Sequence, residues 1–296
     1  MRDVFSGYNP TIHLLYFAST MCFSMFFLHP ICLALSFLCA FAYSLYLNGK
    51  KALRTGGLFL LPMLLITALL NPVFNHEGVT ILLYLRDGNP LTLESVVYGV
   101  IAALMLIAIV SWFACFSRVL TSDKLVYLFG RLIPALALVL SMALRFVPRF
   151  KSQIKVVSDA QKCVGRDVSN GNVFRRARHG IRIVSIMVTW ALENAIETAD
   201  SMKCRGYGLP GRTAFSVFRF DRRDRAALLF ILACDAYILA GAAAGGLYFR
   251  CFPSIAGVWG GPHSVSLFAA CFALYAMPVA LNLLNDKKWK NLEAKL

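Results

Sequence analysis

An all-α protein that crosses a membrane several times is the fold this sequence predicts, on three observations. The 296 residues are 58% hydrophobic with a mean hydropathy of +0.65, more apolar surface than one water-soluble core of this size can hide. The apolar residues gather in runs close to or beyond the length an α-helix needs to cross the hydrocarbon layer. Charge is gathered too: of thirty Lys and Arg against fifteen Asp and Glu in the chain, seventeen basic and seven acidic residues fall between Arg145 and Arg225.

Six runs read as spans, at Ile12 to Leu28, Ile31 to Leu47, Gly57 to Val73, Val96 to Phe116, Ala226 to Phe249 and Ser264 to Leu284. The first carries His13, lacks a basic flank beside its apolar core and is followed at once by another run, so it reads as a retained span and not as a leader. Basic residues stay on the cytoplasmic side, and Lys50, Lys51 and Arg54 therefore put the second connection inside. Residues 74 to 95, with Arg86 against Glu77, Asp87 and Glu94, then face out. Arg118 and Lys124 bring the chain back in, and Lys287, Lys288, Lys290 and Lys295 put the C-terminus inside with the N-terminus.

Leu125 to Val147 is long enough to cross, yet it has cytoplasmic-type flanks on both sides: Arg118 and Lys124 before it, Arg145, Arg149 and Lys151 after it. Arg131 and Pro134 interrupt it. The expectation is a helix, or a broken pair, lying along the inner leaflet. A basic amphipathic helix then begins at Pro148, a good first-turn residue, with Phe150, Ile154, Val157 and Val164 at helical spacing and Lys151, Lys155 and Lys162 on another face. After the turn cluster Ser169 to Asn172 come Arg175, Arg176, Arg178 and Arg182, which suit anionic lipid heads. A second helix, roughly Ile181 to Lys203, carries Leu192, Ala195, Ile196, Ala199 and Met202 on one side and Glu193, Glu197 and Asp200 on the other. The organisation expected is 1–117 as N-terminal spans, 118–225 as the inner-leaflet helix and cytoplasmic coupling helices, and 226–296 as C-terminal spans.

Both helices end on nearly the same heptad: Asp159-Ala-Gln-Lys-Cys-Val-Gly165, and forty-one residues later Asp200-Ser-Met-Lys-Cys-Arg-Gly206. Alone, either one is explained as a helix stop, with Gly accepting a left-handed conformation and Lys or Arg complementing the negative helix end. Two matched ends also suit the docking of two equivalent partners. The chain here resembles the transmembrane T component of energy-coupling factor transporters, micronutrient importers driven by a pair of cytoplasmic ABC ATPases. In that family two coupling helices each end in an Ala-Arg-Gly motif that docks on one ATPase. Lys203-Cys204-Arg205-Gly206-Tyr207-Gly208 is close to the second motif, and the resemblance extends to His29-Pro30, Asn71-Pro72 and Leu144-Arg145-Phe146-Val147-Pro148. Cys163 and Cys204 stand where the family has Ala, Val164 stands where the first motif has Arg, and two spans instead of one follow the coupling helices.

The resemblance implies ATPase docking through Lys162, Cys163, Val164 and Gly165 and through Lys203, Cys204, Arg205 and Gly206, with Pro148, Gly208, Pro210 and Gly211 as hinges. It implies as partners two ATPase subunits, a substrate-binding membrane subunit and membrane lipids, with no nucleic acid. No cofactor is expected on this chain itself, ATP and Mg being bound by the ATPases. A heterodimeric ATPase pair would account for the unequal Val164 and Arg205; a degenerate first site would do so equally. Two other classes stay open. A stand-alone secondary transporter or channel would use the spans and Asp235, which lies mid-span where a carboxylate is costly, but would leave the repeat without a role. A membrane scaffold would hold anionic lipid or nucleic acid through its basic segment.

Several further features point to no chemistry. Gly206 to Thr213 is one residue from a phosphate-binding loop, but a helix and not a buried strand precedes it, and Arg replaces the Lys. The nine cysteines form no C-x-x-C pair, which argues for small apolar fillers over metal ligation or a disulfide framework. His13 and His29 read as interfacial, and no carboxylate pair or nucleophile and base suggests an enzyme.

Overall fold

The computed structural model describes residues 3–84, 90–167, 172–207, 209, 218–258 and 260–293. The fold is all-α. Helices α1 (Pro10–Phe26) and α2 (Pro30–Asn48) each start with Pro in the first turn, where its missing N–H costs nothing, and each is capped from the preceding side chain. Asn9 Oδ1 accepts from Thr11 N–H and His29 Nδ1 accepts from Ile31 N–H. Next come α3 (Lys50–Thr55), a wide turn at Gly56–Leu60 and α4 (Leu61–Phe74). Pro62 lies in the first turn of α4, and the ladder widens just before it, where proline has no N–H to offer.

A small hairpin, β1 (Ile81–Tyr84) and β2 (Pro90–Thr92), leads into α5 (Leu93–Val119), with Ile81 opposite Thr92 and Tyr84 opposite Pro90. Then follow α6 (Ser122–Leu132), α7 (Pro134–Cys163), α8 (Val173–Cys204), α9 (Arg222–Ala243), a second hairpin of β3 (Phe249–Arg250) and β4 (Ala256–Gly257), and α10 (Pro262–Glu293).

Among the described residues, five helical stretches are long and apolar enough to cross a membrane: Pro30–Asn48, Lys50–Phe74, Leu93–Val119, Arg222–Ala243 and Pro262–Glu293. They correspond to the second to sixth expected spans. The first expected span forms α1, whose 17 residues rise about 26 Å at 1.5 Å each, a little under the hydrocarbon thickness.

The chain divides into two compact units, one of Met1–Lys124 with Phe218–Leu296 and one of Leu125–Val217. The first is a helix bundle around Tyr16, Tyr43, Trp112 and Tyr275, whose side chains are all fully buried. Among apolar neighbours each polar edge needs a partner. Trp112 Nε1–H donates to Ser36 Oγ at 2.9 Å, Ser36 pairs with Ser24 at 2.6 Å, and Tyr16 O–H donates to the Tyr275 carbonyl at 3.2 Å. His13 and His29 are fully buried among the helices. Sequence position places them at span ends, but the rings are consumed by local structure: His13 Nε2 bonds the Phe5 carbonyl, and His29 caps α2.

Two helix starts in the second unit also need correction. The break expected within 125–147 is present at Ile133, whose φ of −139° and ψ of 91° leave the helical region just before Pro134. The amphipathic helix does not begin at Pro148, however; α7 runs from Pro134 to Cys163 with Pro148 inside it. Proline there removes one ladder bond, to Leu144. Stopping the helix would instead separate Phe146 from Phe150, whose rings pack 6.1 Å apart along the same face. Helix α8 likewise starts eight residues before Ile181, at Val173, because Asn172 Oδ1 accepts from the Val173 N–H at 2.8 Å. The four arginines therefore belong to the helix.

Candidate functional site

The duplicated heptads fold into the same backbone object twice. Helix α7 ends at Cys163, Val164 is its cap (φ −91°, ψ 13°) and Gly165 turns left-handed at φ +76°. Helix α8 ends at Cys204, Arg205 is its cap (φ −84°, ψ 10°) and Gly206 turns left-handed at φ +75°. At the first end Gly165 N–H donates to Lys162 O at 2.9 Å and Arg166 N–H to Gln161 O at 2.9 Å. At the second, Gly206 N–H donates to Lys203 O and Tyr207 N–H to Met202 O, both at 3.0 Å. Each is a Schellman closure, in which two crossed bonds satisfy carbonyls that the helix leaves without donors. Any residue with a Cβ would pay roughly 1–2 kcal/mol for the left-handed turn, which is why Gly ends both copies.

The repeated Asp and Lys form one further matched element, Asp159–Lys162 at 3.9 Å and Asp200–Lys203 at 3.7 Å. Both pairs are exposed, so they orient the last turn more than they stabilise it. What differs is the cap side chain. Val164 is 65% exposed and Arg205 is also exposed, so identical scaffolds present an apolar knob at one end and a guanidinium at the other. Cys163 and Cys204 are exposed free thiols in equivalent last-turn positions.

Upstream of these ends, α7 and α8 enclose an open groove of about 370 Å³ lined chiefly by Met142, Phe146, Phe150, Trp190, Asn194 and Met202. The ring of Phe150 meets Trp190 edge-on at 5.4 Å, and the Arg149 guanidinium lies 5.5 Å from the Trp190 ring centre. Ala195, Ala199 and Met202, expected on the apolar side of α8, line this groove, whereas Leu192 and Ile196 from the same expected face are 62% and 65% exposed. The aromatic lining was not singled out from sequence, although Phe146 and Phe150 at i, i+4 carry the signal. Trp190 sits in a stretch apolar all round, where periodicity selects no face.

Charge along α8 runs against its own dipole. Arg175, Arg176, Arg178 and Arg182 occupy the N-terminal half, whereas Glu193, Glu197 and Asp200 occupy the C-terminal half. A helix gains from the opposite order in its first turn, where Arg175 and Arg176 stand, whereas Lys203 in the last turn follows the favourable one. Of the remaining expected site residues, Asp235 is half-buried in α9, with Ser19 of α1 facing its carboxylate. Gly208, Pro210 and Gly211 lie outside the described residues.

The matched helix ends and apolar spans are accompanied by likeness to known proteins. The family described as "Cobalt transport protein", CbiQ, matches residues 1–215, which is most of the chain and includes both heptads. The chain belongs to the CbiQ family. This CbiQ-family chain is also similar to proteins named "Energy-coupling factor transporter transmembrane protein EcfT". The protein of that name from Lacticaseibacillus paracasei is 37% identical over 90 residues, 30% of this chain and 34% of the relative. That from Lactobacillus helveticus is 34% identical over 98 residues, 33% and 35% of the two chains. That from Bacillus selenitireducens is 32% identical over 112 residues, 38% and 42%. The chain thus spans between a third and under half of the length of these relatives.

Proposed function

We propose that this CbiQ-family chain is the transmembrane coupling subunit of an energy-coupling factor importer. Two cytoplasmic ATPases would close on ATP, α7 and α8 would carry the movement, and a separate substrate-binding membrane subunit would be reoriented. The observation that carries the reading is the pair of helix ends with matching dihedrals and closing bonds, each presenting an exposed cap side chain. A helix stop alone requires the glycine but not a second copy of Asp, Lys and Cys at the same offsets.

On this reading the chain is not an enzyme. ATP and Mg are bound by the ATPases, and this chain contributes Val164 and Arg205 as two docking points. An Arg fork matches carboxylate or carbonyl acceptors, whereas Val docks by shape and exclusion of water; the two grooves that receive them would differ, as in a heterodimer. The arginines of α8 would face anionic lipid heads on the cytoplasmic side of a prokaryotic plasma membrane, with both termini on that side. The cargo would be a vitamin or a transition-metal ion, selected by the partner subunit.

Copurification from the native membrane tests the reading. It expects two ATPase polypeptides and one small membrane protein with this chain, and Arg205→Glu should release at least one ATPase. Recovery of the chain with no ATPase under conditions that preserve other membrane complexes would refute it.

A further inference from the structure

The six residues Asp3 to Tyr8 tie together five helices of the first unit. Asp3 Oδ2 accepts from Tyr43 O–H of α2 at 2.9 Å and from Ser6 N–H at 3.0 Å, while its Oδ1 accepts from Asn282 Nδ2 of α10 at 2.6 Å. Val4 N–H returns a bond to Asn282 Oδ1 at 2.8 Å. Phe5 is fully buried against Tyr16, Phe17 and Tyr43, and its carbonyl is met by His13 Nε2 of α1 at 2.6 Å.

The turn at Phe5–Gly7 is a single 3₁₀ turn, too short to supply backbone donors to its later carbonyls. Two cations supply them. Lys124 Nζ, on a residue only 7% exposed, donates to Ser6 O at 2.7 Å and to Val119 O at the end of α5 at 2.9 Å. Arg223 of α9 donates to Gly7 O at 3.2 Å and lays its guanidinium 4.3 Å from the centre of the Tyr8 ring. Burial lowers the Lys124 pKa and the nearby Asp3 carboxylate opposes that shift, while the Ser6 and Val119 carbonyls accept from the ammonium.

The sequence positions of these two cations give the contact its meaning. Lys124 is the last residue of the first unit before the chain leaves into the second, and Arg223 lies five residues after Phe218, where the chain returns. We infer that Asp3–Tyr8 is a clamp that pins both roots of the second unit to the membrane bundle. Lys124 and Arg223 are its positioning residues. With both roots held by one turn that buried Phe5 and Tyr8 anchor, movement reaching either root is passed to the bundle at defined points instead of being lost in a loose connection. This consequence rests on the coupling role proposed above; the clamp itself does not.

Hydrogen exchange on the purified full-length chain in lipid nanodiscs tests the clamp without any partner. Wild type should protect amides 119–120 and 126–127 at one root and 225–227 at the other, since the first-turn amides of α6 and α9 have no ladder acceptor. Lys124→Met keeps the length of the side chain and removes the donor to Ser6 O and Val119 O; combined with Arg223→Gln it should speed exchange at both roots by about ten- to a hundredfold. Amides in the middle of α2 and α5 should keep wild-type protection. Unchanged exchange at either root overturns the clamp. In the assembled transporter the same double variant should keep ATP hydrolysis within about twofold and lower cargo moved per ATP by about tenfold or more. A wild-type ratio of transport to hydrolysis with loosened roots would overturn the transmitting role. Absence of ATPases from the wild-type complex would instead refute the coupling reading and leave the exchange result to judge the clamp.

Discussion

Replacing Arg205 probes the second helix end without dismantling it. The cap of α8 is closed by backbone bonds from Gly206 and Tyr207, and the Arg205 side chain is exposed, so Arg205→Ala should leave insertion and helicity unchanged. If docking gives the guanidinium one charge-assisted hydrogen bond, its loss is worth about 1.5–3 kcal/mol, or roughly ten- to a hundredfold in affinity. Arg205→Glu should be worse, because it sets a carboxylate against the acceptors that held the fork. Val164→Ala, at a side chain 65% exposed in the free chain, removes only two methyl groups, about 1–2 kcal/mol if a partner covers them fully. Its effect should also be nearly independent of salt, whereas binding through Arg205 weakens as salt screens charge. The assay is titration of nanodisc-embedded chain with purified ATPases at two salt concentrations, alongside stimulation of ATP hydrolysis. If Arg205→Glu binds both ATPases at wild-type affinity and supports transport, the heptads are only helix stops and the two-partner reasoning fails.

The other predictions concern the same elements. Gly165→Ala and Gly206→Ala should each cost roughly 1–2 kcal/mol through the left-handed turn and re-aim the cap side chain, seen as lost ATPase binding with the spans intact by circular dichroism. Trp190→Ala should open the α7–α8 groove and destabilise the pair by about 2 kcal/mol, below the 3–5 kcal/mol of a fully buried ring because Trp190 is half-buried; an unchanged denaturation midpoint for that pair would contradict the packing. Single-cysteine labelling in a cysteine-free background should reach positions 75–84 from outside and positions 150–207 from inside only. Reporters at 122 and 150 should fall on the same side of the membrane; opposite sides would mean that the stretch between them crosses.

The helical fold and five of the expected spans were legible in the sequence because a bilayer imposes one-dimensional rules: twenty or so apolar residues, backbone bonds satisfied within the segment, and basic residues outside it. The repeated heptad was legible for a similar reason, since a left-handed glycine after a Lys-bearing last turn is a local conformation set by its own residues, and both copies fold as their spelling implies. Where a helix begins is less local. Pro148 looked like a start because proline fits a first turn, yet packing along the Phe146 and Phe150 face carries α7 straight through it, and Asn172 captures the arginines for α8 by one hydrogen bond. The N-terminal turn had no signature at all. Asp3, Lys124, Arg223 and Asn282 are distant in the chain, and only the folding of α10 against α2 and of α9 against α1 brings them to one turn. Periodicity and propensity depend on neighbours within a few residues, so they can specify spans and helix caps; a buried ammonium held by the Ser6 carbonyl from another part of the chain exists only once tertiary packing has removed water from both.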